Sequence, residues 1–482
     1  MSDNTFVRSS CEQILEKSET KFYKRRWYVL LVYSLFTFTQ GLLWNTWGPI
    51  AASSEDAFSW TDADIALFAN WGPISYIVGA FVSAWILDNK GLRLTCLACS
   101  FLIVIGTAIR CITSEVPYIT WTVNIGQALN GLAGPIAMGG PPLLSAAWFP
   151  VHERTTATSL SFSMNLMGIA IDFLLGPHIV STSPSKIAED NKPSSNGSAD
   201  VMNIVALNSS LNESTIDVTE MRRINEREQI MLFMYIECGW AVLLFLLMAI
   251  YFPSKPELPP SKTASIQRID FKNGLKNIVR SKAFWLIGFI YSLSLGVFNV
   301  WQGVLDVNLK PHGFSQEEAG WLGFSSVVAG CVSSVIICRL ADIYSKHIRI
   351  FLIGIYVGSG VCFLVFTFLV NDIIPNSTVA LYVSIIIGTI CLQAASPLYY
   401  EMACEVSYPV SEGLTNVFLT TLCNVGSFIF LLLQMVPNIG TNWENWCLLG
   451  VILLCIPLMF RLNDNYNRSI IDENNIGPRE TK

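Results

Sequence analysis

The sequence predicts an all-α membrane protein in which twelve transmembrane helices form two six-helix bundles. Of its 482 residues, 52% are apolar and only 14% are charged, whereas a soluble domain carries about 25% charged residues. The apolar residues fall into twelve runs of roughly 20 residues, each long enough to cross the ~30 Å hydrocarbon core as a helix. This composition excludes a disordered chain, a nucleic-acid-binding protein and an ordinary cytosolic enzyme.

The twelve runs leave room only for tails, one long loop and one linker. The predicted spans are 27–50, 65–87, 94–112, 119–147, 157–180, 230–252, 284–305, 319–338, 350–370, 379–402, 413–436 and 446–461. They divide the chain into an N-terminal tail (1–26), a first bundle (27–252), a linker (253–283), a second bundle (284–461) and a C-terminal tail (462–482).

Basic residues and glycosylation sequons predict one orientation. With both termini in the cytosol, the cytosolic segments hold 23 of the 30 Lys and Arg residues, as the positive-inside rule requires. The loop 181–229 is rich in Ser, Asn and acidic residues, which is typical of a flexible segment. It contains the sequons at Asn196, Asn208 and Asn212, and Asn376 lies in a later loop on the same side. Glycosylation occurs on the lumenal or extracellular side, so both patterns agree.

Matched landmarks indicate that the two bundles are internal repeats. Asp88, in Trp-Ile-Leu-Asp-Asn-Lys-Gly-Leu-Arg, and Asp342, in Arg-Leu-Ala-Asp, follow the second and eighth spans and lie 254 residues apart. Glu153 and Glu412 follow the fourth and tenth spans and lie 259 residues apart. A carboxylate at a helix end accepts hydrogen bonds from helix N-termini and basic side chains, although Asp88 alone also fits a hairpin with charged turn residues. We predict that a conformational latch contains Asp88, Arg93, Glu153, Arg154, Asp342 and Glu412.

These residues resemble the major facilitator superfamily. The stretch around Asp88 is similar to its Gly-x-x-x-Asp-x-x-Gly-x-Arg loop, with Ala84 at the first position and Leu92 at one basic position. The segments that begin Gln40-Gly-Leu-Leu-Trp-Asn, Asn130-Gly-Leu-Ala-Gly-Pro and Gly296-Val-Phe-Asn-Val-Trp further resemble the feline leukaemia virus subgroup C receptor-related family of solute carriers. The resemblance implies the major facilitator fold and carriage of haem, choline or related amines. The branch that the chain resembles most implies a lysosomal, electrogenic carrier with proton-coupled export of pyridoxine.

Candidate substrate residues lie on the first, fourth, seventh and tenth spans, which are unusually polar, and on the eleventh. Transporter sites lie near the bilayer midplane on polar or broken helices, and in the resembled fold the first four line the cavity. The indole of Trp44 can stack on a flat ring or a cation, although it also fits a packing residue. By resemblance, Trp44 takes the aromatic choline-contacting position, and Gln40 and Asn424 align with polar site positions. The predicted set is Gln40, Trp44, Asn45, Gln127, Asn130, Asn299, Trp301, Gln302, Gln393 and Asn424.

Two departures from the resembled pattern bear on the substrate. The family's polar residue in the fourth span falls at Gly134, and its cage tyrosine in the seventh falls at Asn299. An incomplete aromatic cage counts against choline. A tryptophan with several amides suits a neutral, hydroxylated heteroaromatic solute such as pyridoxine better.

Coupling to protons requires a titratable group inside the membrane, where such groups are costly and usually functional. Asp172, Glu237 and Glu401 lie within predicted spans, and His178 lies at a lumenal helix end, where an imidazole can respond to mild acid. Any of the four can be the proton carrier. Glu237 also fits a position near the interface, and Glu401 also fits a latch partner.

Other functions remain open at the level of sequence. A plasma-membrane choline or haem transporter and a non-transporting receptor or scaffold are alternatives, whereas no GxSxG, HExxH or completed Cys/His metal motif supports an enzyme. We therefore expect no cofactor or metal, and as partners a small solute, protons and the bilayer, with a monomer as the transport unit. Ile14 and Leu15 follow Ser10-Cys-Glu-Gln, which is similar to the acidic dileucine signal of the resembled branch and favours the lysosomal membrane over the plasma membrane.

Overall fold

The computed structural model describes residues 21–180, 201–265, 268–303, 305, 309, 316–344, 347–375, 377–434, 442–462 and 468. All regular secondary structure in these ranges is helical. The predicted all-α class is therefore confirmed. The predicted runs are mainly helical in these ranges, although 27–50 extends beyond the helix that ends at Asn45 and 119–147 is divided between Tyr118–Gly139 and Pro141–Trp148.

We number the twelve membrane-crossing segments α1 to α12. Their bounds are α1 Arg26–Asn45, α2 and α3 the parts 62–90 and 92–110 of the helix Asp62–Arg110, α4 Tyr118–Gly139, α5 Arg154–Ile179, α6 Val201–Ile250, α7 Lys282–Gly303, α8 Gln316–Ile343, α9 Ile348–Val370, α10 Thr378–Ser407, α11 Glu412–Gln434 and α12 Asn442–Met459. Shorter helices at the connections are Ala51–Phe58, Pro141–Trp148, Lys262–Ser265 and Phe271–Arg280, with a 3-10 turn at Val151–Glu153.

Gly91 separates α2 from α3. A straight helix of the 49 residues in Asp62–Arg110 would be about 74 Å long, more than twice the hydrocarbon thickness. Gly91 has φ of 80°, a conformation that glycine adopts without the steric cost other residues meet. The chain folds back there, because α4 touches α2 beside Gly131 and α3 beside Gly126.

Nine helices in the described ranges are long and apolar enough to cross a membrane, and Asp62–Arg110 supplies two of the spans. The remaining two spans are α4, which is interrupted by polar and glycine residues, and α12, which is short. The residues 253–283 join α6 to α7 at the face predicted to be cytosolic, which we call the linker face. The opposite face, where α1 and α7 end, we call the loop face.

The structure differs from the sequence prediction over residues 201–229. These residues are helical and continue α6 back to Val201, where we predict an irregular loop. The segment contains no proline or glycine, so nothing in it ends a helix, and its polar composition indicates exposure to water rather than irregular backbone. Asn208 and Asn212 lie in this helical part, whereas Asn196 and Asn376 lie outside the described residues.

Helix packing repeats between the two bundles. α1 crosses α5 at Gly41 and Gly168, and α7 crosses α11 at Gly296 and Gly426. A Cβ atom at any of the four would lie 2.1–3.0 Å from a backbone oxygen of the partner helix. Gly41 and Gly296 are 255 residues apart and Gly168 and Gly426 are 258 apart, close to the spacings of the acidic landmarks. The repeat therefore extends from the loops into the helix crossings.

The two bundles contact each other mainly through α2 with α11 and through α5 with α8. Ser159 and Ser334 share a 2.9 Å hydrogen bond across the second contact, and the Cys331 thiol lies 3.4 Å from the Ser163 carbonyl oxygen. These residues lie in the parts of α5 and α8 that are closer to the linker face. The halves are thus packed together on the linker-face side in this conformation.

Candidate substrate and coupling site

Trp44 lies on the side of the first bundle that meets the second. Its indole N–H donates to the carbonyl oxygen of Ala69 on α2 at 3.1 Å, and a Cβ atom on Gly72 would meet the indole nitrogen at 2.2 Å. One turn further along the same face of α2, the hydroxyl of Tyr76 bonds to the hydroxyl of Thr420 on α11.

One turn below Trp44, three buried amide side chains are joined. The side-chain N–H of Asn165 donates to Oε1 of Gln40 at 2.9 Å, and that of Asn130 donates to the backbone oxygen of Gln40 at 3.2 Å. Within the described part of the chain, Oδ1 of Asn130 has no hydrogen-bond partner. A buried acceptor without a partner is costly, and a donor group on a bound solute would satisfy it.

The space beside Gly134 and the space beside Gly330 are each occupied by a side chain from a neighbouring helix. A Cβ atom on Gly134 of α4 would lie 2.9 Å from the ring of Tyr76 on α2, and one on Gly330 of α8 would lie 1.9 Å from Oε1 of Gln393 on α10. Tyr76 and Gly330 are 254 residues apart, and Gly134 and Gln393 are 259 apart. The helix pairs α2/α4 and α8/α10 are equivalent in the repeat. The large side chain comes from the first helix in one pair (Tyr76 on α2) and from the second helix in the other (Gln393 on α10). Neither amide atom of Gln393 has a hydrogen-bond partner among the described residues.

An aromatic layer lies between these amides and the linker face. We define it as Tyr76, Phe162, Tyr291 and Tyr400, all of which are buried. The Tyr291 hydroxyl donates to that of Tyr400 at 3.1 Å, and the Phe162 ring meets Tyr400 edge-on with centroids 5.9 Å apart. The layer joins the two bundles and closes the amide group from the linker face. Sequence analysis assigned none of the four to the site.

A buried charge cluster lies behind the end of α1. We call Arg110, Asp172 and Glu237 the Arg110 cluster; they come from α3, α5 and α6 and are at most 2% exposed. The Arg110 guanidinium lies 3.5 Å from a Glu237 carboxylate oxygen and interacts electrostatically with Asp172. A Cβ atom on Gly126 of α4 would meet Nε of Arg110 at 2.7 Å, so that glycine leaves room for the guanidinium. Two of the predicted proton carriers therefore share one counter-charge that sequence analysis missed.

Two predicted substrate residues belong to this cluster instead. Oε1 of Gln127 accepts a hydrogen bond of 2.9 Å from Arg110. The side-chain N–H of Asn45 donates to the Ile169 carbonyl oxygen at 3.3 Å, and its amide lies beside Asp172. The pattern of polar residues in the fourth span and at the end of the first indicated a polar interior but not which partner each side chain meets.

Predicted residues in the second bundle divide into packed and accessible ones. Trp301 is fully buried against Phe363 and Phe366, with ring centroids 5.2 and 5.4 Å away, and its indole donates to Asn445 at 2.7 Å. Trp301 thus packs in the core of the second bundle in this conformation, and its role in substrate binding stays a prediction. Asn299 is exposed, Gln302 is partly exposed, and Asn424 bonds to its own helix through the Thr420 carbonyl oxygen at 2.9 Å.

Both aspartates that mark the repeat bond to the start of a helix in the other bundle. Asp342 on α8 accepts from the backbone N–H groups of Thr155 and Thr156 at 3.0 and 2.7 Å, at the N-terminus of α5. Asp88 on α2 bonds to the hydroxyl of Ser411, which directly precedes α11. A carboxylate is stabilised at a helix N-terminus by the dipole and the free N–H groups.

The other four predicted latch residues bind the linker or their own bundle. Glu153 pairs with Arg26 at 2.8 Å. Arg154 donates to the hydroxyl of Ser261 in the linker at 2.5 Å, and the side chain of Arg93 donates to the Ala249 carbonyl oxygen at 3.4 Å. The fourth, Glu412, pairs with Arg268 of the linker at 2.6 Å. All four lie on the linker face, and these contacts stay within one bundle or join it to the linker.

A second charge cluster on the linker face contains Arg468, which sequence analysis placed in the C-terminal tail. Its guanidinium is 1% exposed and pairs with Glu401, with Glu405 at 3.6 Å and with Glu412 at 3.4 Å. Burial alone would lower the pKa of Arg468, but the surrounding carboxylates raise it well above its usual range, so the side chain stays charged. Glu401, a predicted proton carrier, is thus an ion-pair partner here, which fits its alternative prediction as a latch partner.

The last predicted proton carrier, His178, is exposed near the end of α5. In the ranges that the structure describes, no group of three His, Cys, Asp or Glu side chains is placed to hold a metal ion.

Comparisons with known proteins agree with this architecture. Residues 29–186 match the family described as Major Facilitator Superfamily, and residues 151–407 match MFS/sugar transport protein. The solute carrier family 49 member 4 homolog of Xenopus tropicalis is 33% identical over 94% of this chain and 94% of its own length. The choline/ethanolamine transporter FLVCR1 of Mus musculus is 27% identical over 91% of this chain and 76% of its own length.

Solved structures show the same fold. The E. coli fucose:proton symporter FucP superposes with a TM-score of 0.65 over 90% of this chain and 97% of its own, at 12% identity. The proton:xylose symporter XylE gives a TM-score of 0.64 over 93% and 98%, at 13% identity. The predicted fold is therefore confirmed. The expectation that the chain is not an enzyme is also confirmed, because the family and the relatives are transporters. The chain belongs to the major facilitator superfamily and, within it, to solute carrier family 49, which is related to the FLVCR choline/ethanolamine transporters.

Proposed function

We propose that this membrane transporter is a proton-coupled, electrogenic carrier that exports a small vitamin-like solute, with pyridoxine favoured, from the lysosome by alternating access. The observation that carries the proposal is the position of Trp44. Its indole lies on Gly72, on the face of α2 that meets α11 one turn further along, and one turn above the buried Gln40 and Asn130 amides. A flat ring can stack on the indole while its hydroxyl groups reach the amides.

The composition of the site favours a neutral heteroaromatic solute over choline. Recognition of a quaternary ammonium uses several aromatic faces, and the exposed Asn299 offers an amide where the resembled pattern has a tyrosine. Choline stays the second candidate, because FLVCR1 relatives are named choline/ethanolamine transporters.

Proton coupling is supported by the Arg110 cluster. Asp172 and Glu237 are buried with one arginine, and an uncompensated charge in such a place is strongly unfavourable. Taking up one proton makes the cluster neutral. The carboxyl pair is thus better suited to carry a proton than Glu401, which pairs with Arg468 at the linker face, or His178, which is exposed.

Uptake into proteoliposomes tests the substrate and the coupling together. Radiolabelled pyridoxine, choline and haem are offered with and without a pH gradient across the membrane. We expect gradient-dependent uptake of pyridoxine, loss of that uptake in Trp44→Ala, and little change in Trp446→Ala, whose indole is exposed on α12. Uptake of choline alone would show that choline, and not pyridoxine, is the substrate. No uptake of any of the three solutes would favour a receptor or scaffold.

The lysosomal location is tested separately. Ile14 and Leu15 lie outside the described residues, so the argument rests on sequence alone. A tagged chain should colocalise with lysosomes, and Ile14→Ala/Leu15→Ala should move it to the plasma membrane. Plasma-membrane residence of the unaltered chain would contradict the proposal.

A further inference from the structure

Arg110 connects the Arg110 cluster to the end of the helix that carries Trp44. Its guanidinium donates to the backbone oxygen of Leu43 at 3.4 Å. The hydroxyl of Thr46 lies 3.2 Å from the same oxygen and 2.7 Å from Oε1 of Glu237. The last carbonyl groups of a helix have no partner within it and form the negative end of its dipole. The cluster therefore provides the partners for the end of α1.

The charges in the cluster do not balance. Arg110 and Glu237 form one ion pair, and Asp172 adds a second buried carboxylate, which lies beside the Asn45 amide. Among the described residues, the groups that face the pair carry no fixed charge. They are Asn45 and Thr46 at the end of α1, Gln127 on α4, and the thiols of Cys111 at the end of α3 and Cys238 on α6.

We infer that Arg110 is the positioning residue that transmits the protonation of the Asp172–Glu237 pair to the end of α1 and thereby to Trp44. With one proton on the pair, the guanidinium pairs with Glu237 and donates hydrogen bonds to Gln127 and to the Leu43 carbonyl oxygen, which are the contacts seen in this structure. When the proton leaves, a second buried carboxylate competes for the same guanidinium, whose Nε has no partner among the described residues. Movement of Arg110 toward Asp172 then removes the charged partner of the Leu43 carbonyl oxygen, which keeps the Thr46 hydroxyl, and thereby loosens the helix end.

The Arg110 cluster and Trp44 are linked through residues that are close to Trp44 in the sequence. Leu43 directly precedes Trp44, Thr46 follows it by two residues, and Asn45 bonds to the α5 backbone three residues before Asp172. Loosening this end of α1 displaces the indole from Gly72. The inference rests on the proposed function for the identity of the solute, but the link between proton and helix is testable without it.

Hydrogen exchange of the purified full-length protein in lipid nanodiscs measures the link directly. Amides of 41–48 are compared at about pH 5 and about pH 7.5 after correction for intrinsic exchange. In the unaltered protein we expect exchange there to be about tenfold faster at the higher pH, the effect of losing one charged hydrogen bond. Equal protection of this segment at both pH values would overturn the inference.

Charge-balanced variants identify Arg110 as the connection. Arg110→Gln/Glu237→Gln removes one cation and one anion together, and we expect it to abolish the pH difference. The matched control Arg222→Gln/Asp56→Asn removes a 3.4 Å ion pair outside the cluster and should retain it. A tenfold difference that persists in the Arg110 variant would overturn the inference.

A further variant covers the case in which the double substitution does not fold. Asp172→Asn imitates the protonated carboxyl group, so 41–48 should stay protected at both pH values. Exchange that still rises with pH in this variant would contradict the inference. Pyridoxine flux is measured on the same preparations, so that absent flux with intact pH-dependent protection rejects the proposed substrate and not the role of Arg110.

Discussion

Asp342 holds the N-terminus of α5 by accepting hydrogen bonds from the backbone N–H and the hydroxyl of Thr156, at 2.7 and 2.5 Å. The bond joins the second bundle to the first. Asp88 makes the equivalent contact in the opposite direction, from the first bundle to Ser411. The two bundles are therefore joined at the linker face by two related contacts, as expected for a duplicated fold.

Asp342→Asn should weaken the contact between the bundles. The change removes the negative charge that two backbone N–H groups bind, and hydrogen bonds to charged groups are worth about 1.5–3 kcal/mol each. Cys338, one turn away on α8 and fully buried, should then react faster with a thiol reagent applied from the linker face. Mass spectrometry of the alkylated peptide measures the rate.

The matched control for Asp342 is Asp372→Asn, since Asp372 is exposed after the end of α9. That variant should label Cys338 at the native rate. Unchanged labelling in Asp342→Asn would show that the contact does not hold the face closed.

Gly72→Ala should displace Trp44 while leaving every polar group of the site in place. The added Cβ atom would lie 2.2 Å from the indole nitrogen, and overpacking of this kind costs about 1–3 kcal/mol. We expect KM for pyridoxine to rise by about tenfold, since 1.4 kcal/mol corresponds to that factor. Gly354→Ala on α9, where nothing lies within 4 Å, is the control. A native KM in Gly72→Ala would show that Trp44 does not contact the substrate.

The helices and their repeat were predictable because the bilayer dictates them. Every membrane-buried backbone group must bond within its own helix, so run length and hydropathy determine the twelve spans. The site was predictable only in part. In the sequence, Arg110 is a charged residue at the end of a predicted span. Its partner Glu237 is 127 residues away, so the sequence does not show that the two meet. Trp301 and Trp44 have similar sequence surroundings, yet one is packed and the other accessible. Single-sequence spacing does not show which neighbour a helix face meets.

Gly168→Ala tests the crossing of α1 and α5. Its Cβ atom would lie 2.1 Å from the Phe38 carbonyl oxygen, and backbone cannot give way as a side-chain end can. We expect a loss of about 1–3 kcal/mol in stability, measured as a lower Tm of the purified protein in detergent. Gly450→Ala on α12, with nothing within 4 Å, should keep the native Tm. Equal Tm values for both variants would contradict the described packing.

Arg468→Gln should destabilise the linker face more than any exposed arginine change. It removes the guanidinium that pairs with the buried Glu401, Glu405 and Glu412, and removing one partner of a buried ion pair costs about 3–5 kcal/mol. We expect a lower Tm and faster alkylation of the buried Cys404 beside it. Arg461→Gln, at an exposed position, is the control. Recovery of Tm in Arg468→Gln/Glu405→Gln would identify charge imbalance as the cause.

Asn299→Tyr should shift selectivity toward choline. The substitution places an aromatic ring at an exposed position on α7, where it can form a cage with Trp44. A cation–π contact is worth about 0.5–2 kcal/mol, so choline uptake should rise by about 2- to 30-fold while pyridoxine uptake does not. Competition between the two labelled solutes in one proteoliposome preparation measures the ratio. Gln302→Tyr, three residues along α7, is the positional control, and an equal rise in that variant would show that the ring acts without a defined cage.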